Sequence, residues 1–484
     1  MKYVRIGVLG FAALLLASCS VGPKYARPSV PSTPAYKEPP PDSFKESNGW
    51  KPAQPKDQTL RGNWWEMFGD PQLNQLESQI AVSNQNLKIA EAQYREARAM
   101  VRYNRASEFP TITTSPSLSS NRYSGNRSLP SPRGAFSDFV LPVDLSYEVD
   151  LWGRVRHLVA QAREQAQATA ADLANVNLSL QAELARDYFL LRSFDEEQQV
   201  LDETVKAYEA ALRLTTNRYE GGAAAKSEVA QAQTQLDTTR AQATDIHVQR
   251  AQYEHAIATL VGKPPAAFSL PALPQTMTPP AIPAGVPSAL LERRPDIAAS
   301  ERRVAAANEE IGIARAAFFP ALVLSATGGF EGSSITSWLN WPSRFWAVGP
   351  SMLQTLFDAG RRRAASEQTI AAYDATVAGY RQTTLDAFQE VEDNLAALRI
   401  LETEAQQERS AVASSQNLLD LSLNRYRGGV DTYLQVVTSQ TQKLANQRTE
   451  IDIQRRRMDA SVLLIKALGG GWDTSKLPAM ASLK

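Results

Sequence analysis

Apolar positions along this chain switch repeatedly between the helical and the pleated period. From Leu73 to about Glu108 they recur at helical spacing, and Asp70-Pro71 opens that run as a cap followed by a first-turn proline. At Phe109-Pro110 the helical pattern stops, because proline lacks an amide donor and restricts the residue before it. Thr111-Ile-Thr-Thr-Ser115 then supplies β-branched and small polar residues. Asn121 to Ser137 is rich in Gly, Ser, Pro and Arg, and Phe139 to Val149 alternates again. The pattern predicts a hairpin over about 109–150 with a long polar tip. Arg154 to about Thr216 contains no proline and predicts one continuous helix, about 90 Å long at 1.5 Å per residue. Ala223 to Val261 predicts its partner. Val229, Ala232, Leu236, Thr239, Ala243, Ile246, Arg250, Tyr253, Ile257 and Leu260 follow alternating spacings of three and four, a coiled-coil seam.

The same order then runs a second time. Ala298 to Ala317 is helical up to Phe319-Pro320, Ala321 to Thr327 reads as a strand, a Gly-Ser loop covers 328–337, and Phe345 to Phe357 returns. A second seam runs through Leu434, Val437, Thr441, Leu444, Arg448, Ile451, Arg455, Met458, Val462 and Ile465. Landmarks repeat too: Asn217-Arg218-Tyr219-Glu220-Gly221-Gly222 returns as Asn424-Arg425-Tyr426-Arg427-Gly428-Gly429, a shift of 207 residues from 222 to 429. Asp150-Leu-Trp-Gly153-Arg154 returns as Asp358-Ala-Gly360-Arg361, and Leu260-Val-Gly262 as Ala467-Leu468-Gly469. A period this long exceeds any solenoid unit, so each copy is a whole supersecondary assembly. The reading divides the chain into a first repeat over 63–262, a Pro-rich linker over 263–287, a second repeat over 288–472 with its hairpin about 319–358, and a tail over 473–484.

The strands are about ten residues long and weakly apolar, the length of a tilted transmembrane β-strand. A soluble β-domain gives similar runs. Phe136, Phe139, Tyr147, Trp152, Trp338, Trp341, Phe345 and Trp346 gather near strand ends, where membrane barrels carry aromatic girdles and where soluble sheets also place core aromatics. Four strands cannot close a barrel, and open edges are not tolerated in lipid, so a spanning reading requires several chains to share one closed sheet. A free-standing rod or scaffold is the alternative, but a rod has no need of hairpins inserted at matching places.

Composition narrows the function. Fifty-one basic residues balance fifty-one acidic ones, which argues against electrostatic capture of nucleic acid. His157, His247 and His255 have no partner at metal-ligand spacing, and packed or exposed histidines fit them better. No phosphate loop, nucleophile elbow or His-Glu-x-x-His motif is present. The sequence thus offers no catalytic residue, no metal ligand set and no cofactor site; an enzyme such as a cell-wall hydrolase would need a clustered apparatus. Seven methionines and three histidines do not mark a dedicated soft-metal exporter.

At the amino terminus Lys2 and Arg5 precede an apolar run, Ile6 to Ala17, too short to span a bilayer, and residues 1–18 read as a signal peptide. Leu16-Ala17-Ser18-Cys19 resembles a bacterial lipobox. That resemblance implies that Cys19, the chain's one cysteine, becomes the lipidated mature terminus, and Ser20 after it fits delivery to the outer membrane. Residues 19–62 then read as an extended tether with Pro-Pro-Pro at 39–41.

Taken together, the lipobox, Pro23-Lys24-Tyr25 with Pro28, Trp64-Trp65 with Phe68-Gly-Asp70-Pro71, Glu148-Val-Asp150-Leu-Trp-Gly153, Leu291-Glu-Arg-Arg-Pro295-Asp-Ile297, the two Arg-Tyr-x-x-Gly turns and Ala467-Leu-Gly-Gly-Gly-Trp472 resemble the TolC-like outer membrane factor family, in its NodT-type lipoprotein branch. The resemblance covers essentially the whole chain. It implies a mixed α and β membrane protein, internally duplicated, that forms a homotrimer. Four strands per chain would close a 12-stranded β-barrel, continued by a periplasmic coiled-coil α-barrel. It implies a passive exit duct for small molecules in a tripartite efflux pump. The partners would be outer membrane lipid, a periplasmic membrane-fusion adaptor protein and an inner-membrane transporter of the resistance-nodulation-division class. A channel for type I protein secretion and a non-conducting periplasmic scaffold are the alternatives.

The resemblance also assigns positions. Pro110, Gly153, Pro320 and Gly360 fall at the four helix-strand junctions. Gly221, Gly222, Gly428 and Gly429 become periplasmic tip turns, for which turn chemistry alone is a sufficient role. Tyr426, Arg427 and Leu434 match positions that constrict the tip. Thr438 and Thr441 stand where better-known members carry Asp and Arg, so Asp431, Glu220 or Glu228 would supply any acidic lining, with Arg218 and Tyr219 as the first copy's counterparts.

Overall fold

The computed structural model describes residues 20–31, 33–41, 62–126, 128, 134–283 and 287–483. The signal peptide expected over 1–18 and the lipid-attachment residue Cys19 lie outside the described residues, as does the tether beyond Pro41 up to position 61. Asp70 caps the first helix as its spacing predicts, its carboxylate accepting the amides of Gln72 at 2.8 Å and Leu73 at 3.1 Å. That helix does not run unbroken to 108. It divides into α1 (Pro71–Ser83) and α2 (Gln85–Arg105), with a short 3₁₀ turn at Ala106–Glu108. The break is built by Asn84, buried between them: its Oδ1 accepts the Leu87 amide at 3.0 Å and its Nδ2 donates to the Leu260 carbonyl at 2.8 Å. Gly262 fits against the same kink, since a Cβ there would lie 2.4 Å from the Ser83 carbonyl oxygen. An asparagine at a cap satisfies backbone groups that an uninterrupted helix would leave to its next turn.

The first hairpin pairs β1 (Thr111–Thr114) and β2 (Ser117–Arg122) with one long strand, β3 (Ala135–Val149). Strand pairing therefore runs past the predicted Ser115, and the polar tip is shorter than 121–137. The second hairpin is β4 (Ala321–Gly332) and β5 (Arg344–Leu353). Gly328 and Gly329, expected in a loop, lie inside β4, because a Cβ at Gly329 would meet the Leu141 carbonyl oxygen at 2.0 Å and only glycine admits that approach. β5 ends at Leu353, short of the predicted Phe357. β3 and β4 pair antiparallel from Phe139 with Gly332 to Val149 with Leu322, so the two repeats form one sheet in the order β1/β2, β3, β4, β5. Its outer edges, β1/β2 on one side and β5 on the other, have no partner strand among the described residues. Ile112, Leu118, Val143, Trp346, Val348 and Met352 are exposed on it.

From the sheet descend α3 (Arg154–Glu220) and, after the first tip, α4 (Lys226–Leu260). A one-turn helix α5 (Leu290–Arg293), α6 (Pro295–Ala316), α7 (Arg361–Arg427) and α8 (Tyr433–Ala467) follow. α3 and α7 are each 67 residues long, α4 and α8 each 35, so the duplication holds in helix length as well as in motif. No described helix is long and apolar enough to cross a membrane.

The α4 seam lies as the spacing predicts, with Ala232, Leu236, Thr239, Ala243, Ile246, Ile257 and Leu260 buried. The α8 seam departs from its prediction near the tip. Leu434, Thr441 and Arg448 are exposed, while Tyr433, Val436 and Ser439 are buried instead, because the Tyr433 ring takes the inner position against Tyr426, 5.4 Å away between centroids.

The main core sits where α1, α3, α7 and α8 meet, around Trp64, Leu73, Tyr188, Leu395 and Ile465. The inter-repeat linker is laid onto α3 and α4. Buried Asp195 joins Arg192 at 2.7 Å and Arg250 at 2.6 Å, and also accepts the Leu273 amide at 3.0 Å. The amino-terminal segment is extended, and it is docked along the helices. Tyr25 donates to Glu301, Arg27 reaches the Tyr380 hydroxyl at 3.2 Å, and the amides of Lys37 and Glu38 donate to Glu392 at 2.7 and 2.9 Å.

Candidate functional site

At the end of α3 the chain turns back through three hydrogen bonds: Gly221 donates to Asn217 at 3.0 Å, Gly222 to Tyr219 at 2.9 Å and Ala223 to Arg218 at 2.7 Å. At the end of α7 Gly428, Gly429 and Val430 donate to Asn424, Tyr426 and Arg425, each at 3.0 Å. Only the second glycine of each pair needs to be glycine for its backbone, Gly222 at φ +74° and Gly429 at φ +73°, whereas Gly221 and Gly428 lie at −78° and −75°.

Side chains divide the two turns. Arg218 crosses from the first tip to the second: its Nη1 donates to the carbonyls of Tyr426 at 2.9 Å and Arg427 at 3.1 Å, and its guanidinium lies 4.7 Å from the Tyr426 ring centroid. Tyr426 is buried, and its hydroxyl donates to Glu228 of α4 at 3.0 Å. Burial and that carboxylate push the Tyr426 phenol above its ordinary range. Arg425, the positional counterpart of Arg218, closes onto Asp431 of its own turn at 2.6 and 3.2 Å, and that bond holds the Asp431 carboxyl below its usual range. Of the residues expected at the tip, Arg218, Glu228 and Tyr426 are thus brought together, while Asp431 is engaged by Arg425. Tyr219, Glu220, Arg427 and Leu434 are exposed on the single chain. Sequence reasoning missed Arg425 and Tyr433. The repeat itself carried the signal for Arg425, since Asp431 stands where the first copy has Ala224.

The opposite ends of the helices are built in duplicate as well. Gly153 at φ +84° and Gly360 at φ +88° precede α3 and α7. Asp150 accepts the amides of Val155 and Arg156 at 3.1 and 3.0 Å, and Asp358 accepts those of Gly360 and Arg362 at 3.1 and 3.2 Å. Pro110 and Pro320 stand directly before β1 and β4. Trp152 ties the two junctions together, stacking on Phe319 at 4.6 Å and donating to the Pro320 carbonyl at 2.9 Å. Nearby His157 is packed: Ser20 Oγ lies 2.7 Å from its Nε2 and Glu309 2.6 Å from its Nδ1. His247 and His255 are exposed. Among the described residues no group of three His, Cys, Asp or Glu is placed to hold a metal ion.

Duplicated helical hairpins of this length, tipped by glycine turns at one end and joined at the other to a sheet with open edges, define a protomer of a membrane-attached helical duct. The chain belongs to the outer membrane efflux protein family, whose model matches it twice, over residues 76–263 and 286–470. The two matches fall one on each repeat. Its relatives include the probable efflux pump outer membrane protein TtgC of Pseudomonas putida, 32% identical over 467 residues, 96% of this chain and 95% of that protein. The pyoverdine export outer membrane protein OpmQ of Pseudomonas aeruginosa is 31% identical over 85% of this chain and 88% of its own length. Among solved structures the outer-membrane channel OprN superposes with a TM-score of 0.85 at 29% identity, covering 94% of this chain and all of that one. The protein is an outer membrane efflux component of Gram-negative type.

Proposed function

We propose that three copies of this chain assemble into a passive exit duct, with a 12-stranded barrel in the outer membrane and a coiled-coil tunnel through the periplasm. One observation carries this reading: the sheet of a single chain exposes apolar side chains and leaves both β1/β2 and β5 open. Open edges in lipid leave backbone groups unpaired at several kcal/mol each, and a neighbouring chain's β5 against β1/β2 would pair them. Residues 1–18 leave as a signal peptide, Cys19 carries the acyl anchor, and residues 63–262 and 288–472 act as the two structural repeats.

The tip is the gate. Tyr426, Arg427 and Leu434 of the second repeat narrow the tunnel, and Arg218 and Glu228 hold Tyr426 in place from the first. Asp431, Glu220 and Tyr219 border the opening, which a periplasmic adaptor engages. An inner-membrane transporter of the resistance-nodulation-division class supplies the energy, and the duct carries small molecules without chemistry of its own.

Single-channel recording of the purified full-length protein in planar bilayers tests the reading. The expected result is a small resting conductance that rises in Tyr426→Ala and Arg427→Ala. Absence of conductance in all three proteins overturns the duct. Conductance unchanged after exchanging the motifs at 217–222 and 424–429 overturns the gate.

A further inference from the structure

Just above the tips, between α3 of the first repeat and α7 and α8 of the second, lies a groove of about 420 Å³. Its floor is apolar: Tyr208, Ala211 and Leu444 are buried along it. Two cations line it, Arg427 and Lys443. The acid among its lining residues, Glu203, already accepts a hydrogen bond from Gln199 at 3.0 Å. Gln440 also lines the groove; it is 4% exposed, and its Oε1 has no hydrogen-bond partner among the described residues. A buried amide oxygen left unpaired is costly, so it marks a place where an incoming donor gains more than it would at the surface.

We infer that this groove binds an amphipathic organic anion. Its apolar body lies on Tyr208, Ala211 and Leu444, its N–H or O–H donates to Gln440 Oε1, and its anionic group pairs with Arg427 and Lys443. The volume is that of a small-ligand pocket. Two cations against one carboxylate leave the lining net positive, which is complementary to an anion, and Ala207 is an exposed residue of that lining.

The test uses the full-length protein in lipid nanodiscs and two fluorescent probes that share a ring system and a bridging N–H. One is the anion 1-anilinonaphthalene-8-sulfonate, the other the neutral N-phenyl-1-naphthylamine. Both should bind saturably above empty nanodiscs, the anion more tightly. Ala207→Trp, at an exposed position that leaves the helix intact by circular dichroism, should abolish both signals by filling the groove. The double variant Arg427→Ala/Lys443→Ala should weaken the anion about tenfold, two partly exposed charge pairs of about 0.7 kcal/mol each, and leave the neutral probe unchanged. Unaltered binding in Ala207→Trp overturns the site. Equal losses for both probes in the double variant overturn the anion. A cysteine substituted at Ala207 that a maleimide cannot reach in the assembled protein also overturns it, because another chain then fills the groove. Binding is read without conductance, so a failure here is separate from a failure of the duct.

Discussion

Tyr219 at the first tip is 43% exposed, and its counterpart Tyr426 at the second is 1% exposed. The backbone around them is the same. Matching amides meet matching carbonyls, and the glycine that must be left-handed is the second of each pair. What differs is where each turn's first arginine goes. In the second copy Asp431 captures Arg425 within its own turn. The first copy has Ala224 in that place, so Arg218 is not captured and extends onto the Tyr426 ring and the carbonyls beside it. Duplication fixed the bend through local hydrogen bonds, and one acidic residue gained or lost then decided which turn reaches and which is held. The result is an asymmetric clasp between two copies of one motif.

The sharpest way to break that comparison is to remove each tyrosine ring. Tyr426→Ala empties a buried position between Tyr433 and Arg218 and should cost about 3–5 kcal/mol of local stability, the range for deleting a buried aromatic side chain. Tyr219→Ala, at an exposed position, should stay within about 0.5 kcal/mol. Amide hydrogen exchange over residues 420–436 and 213–229 reads both. Similar losses at the two tips would mean that the clasp is not asymmetric.

Much of this architecture is written in the sequence, and what is not written has a physical reason. Pro110 and Pro320 were legible because a proline stops a helix before the strand that follows, whereas Gly153 and Gly360, both at positive φ, were placed at the junctions only through the family resemblance. The α4 seam was legible because one face of that helix is buried along its length. The α8 seam failed at Leu434 because Tyr433, one position away, is large enough to take the inner side, and periodicity alone does not weigh a tyrosine against a leucine. Gly328 and Gly329 were misplaced because glycine marks both loops and close strand approach, and only the Leu141 carbonyl across the sheet decides between them. The reach of Arg218 across 208 residues to Tyr426 depends on how the repeats dock, which no local pattern encodes.

A smaller effect sharpens the same comparison at the arginines. Arg218→Ala removes a ring contact and two hydrogen bonds to carbonyls, together worth about 2 kcal/mol, and should raise exchange in the second turn as well as the first. Arg425→Ala should loosen only its own turn, because its partner Asp431 lies there. Exchange that spreads across both turns in Arg425→Ala would refute the division of roles. Within the clasp, Tyr426→Phe deletes one hydrogen bond to Glu228 and should cost about 1 kcal/mol. In a Glu228→Ala background the same change should cost much less, and a double-mutant cycle measures the difference.

Acid gives the mildest test. The Asp431 carboxyl is held below its ordinary value by Arg425, so its charged form is favoured in the fold. A group of that kind contributes stability above its unfolded value of about 3.9 and loses it as pH falls through the lowered folded value. The contacts of Arg218 are to carbonyls and a ring, none of which titrates in that range, and the carboxylate that holds that ring, Glu228, lies on α4 and not among the hydrogen bonds of the first turn. On lowering the pH from 5 towards 3, exchange corrected for its intrinsic acid dependence should therefore rise at Val430 to Thr432 before it rises at Gly221 to Ala223. Asp431→Asn should abolish that early rise while leaving the first turn as it was. An acid response of equal size and midpoint in both turns would show that they share one set of ties, and that Asp431 does not set the second apart.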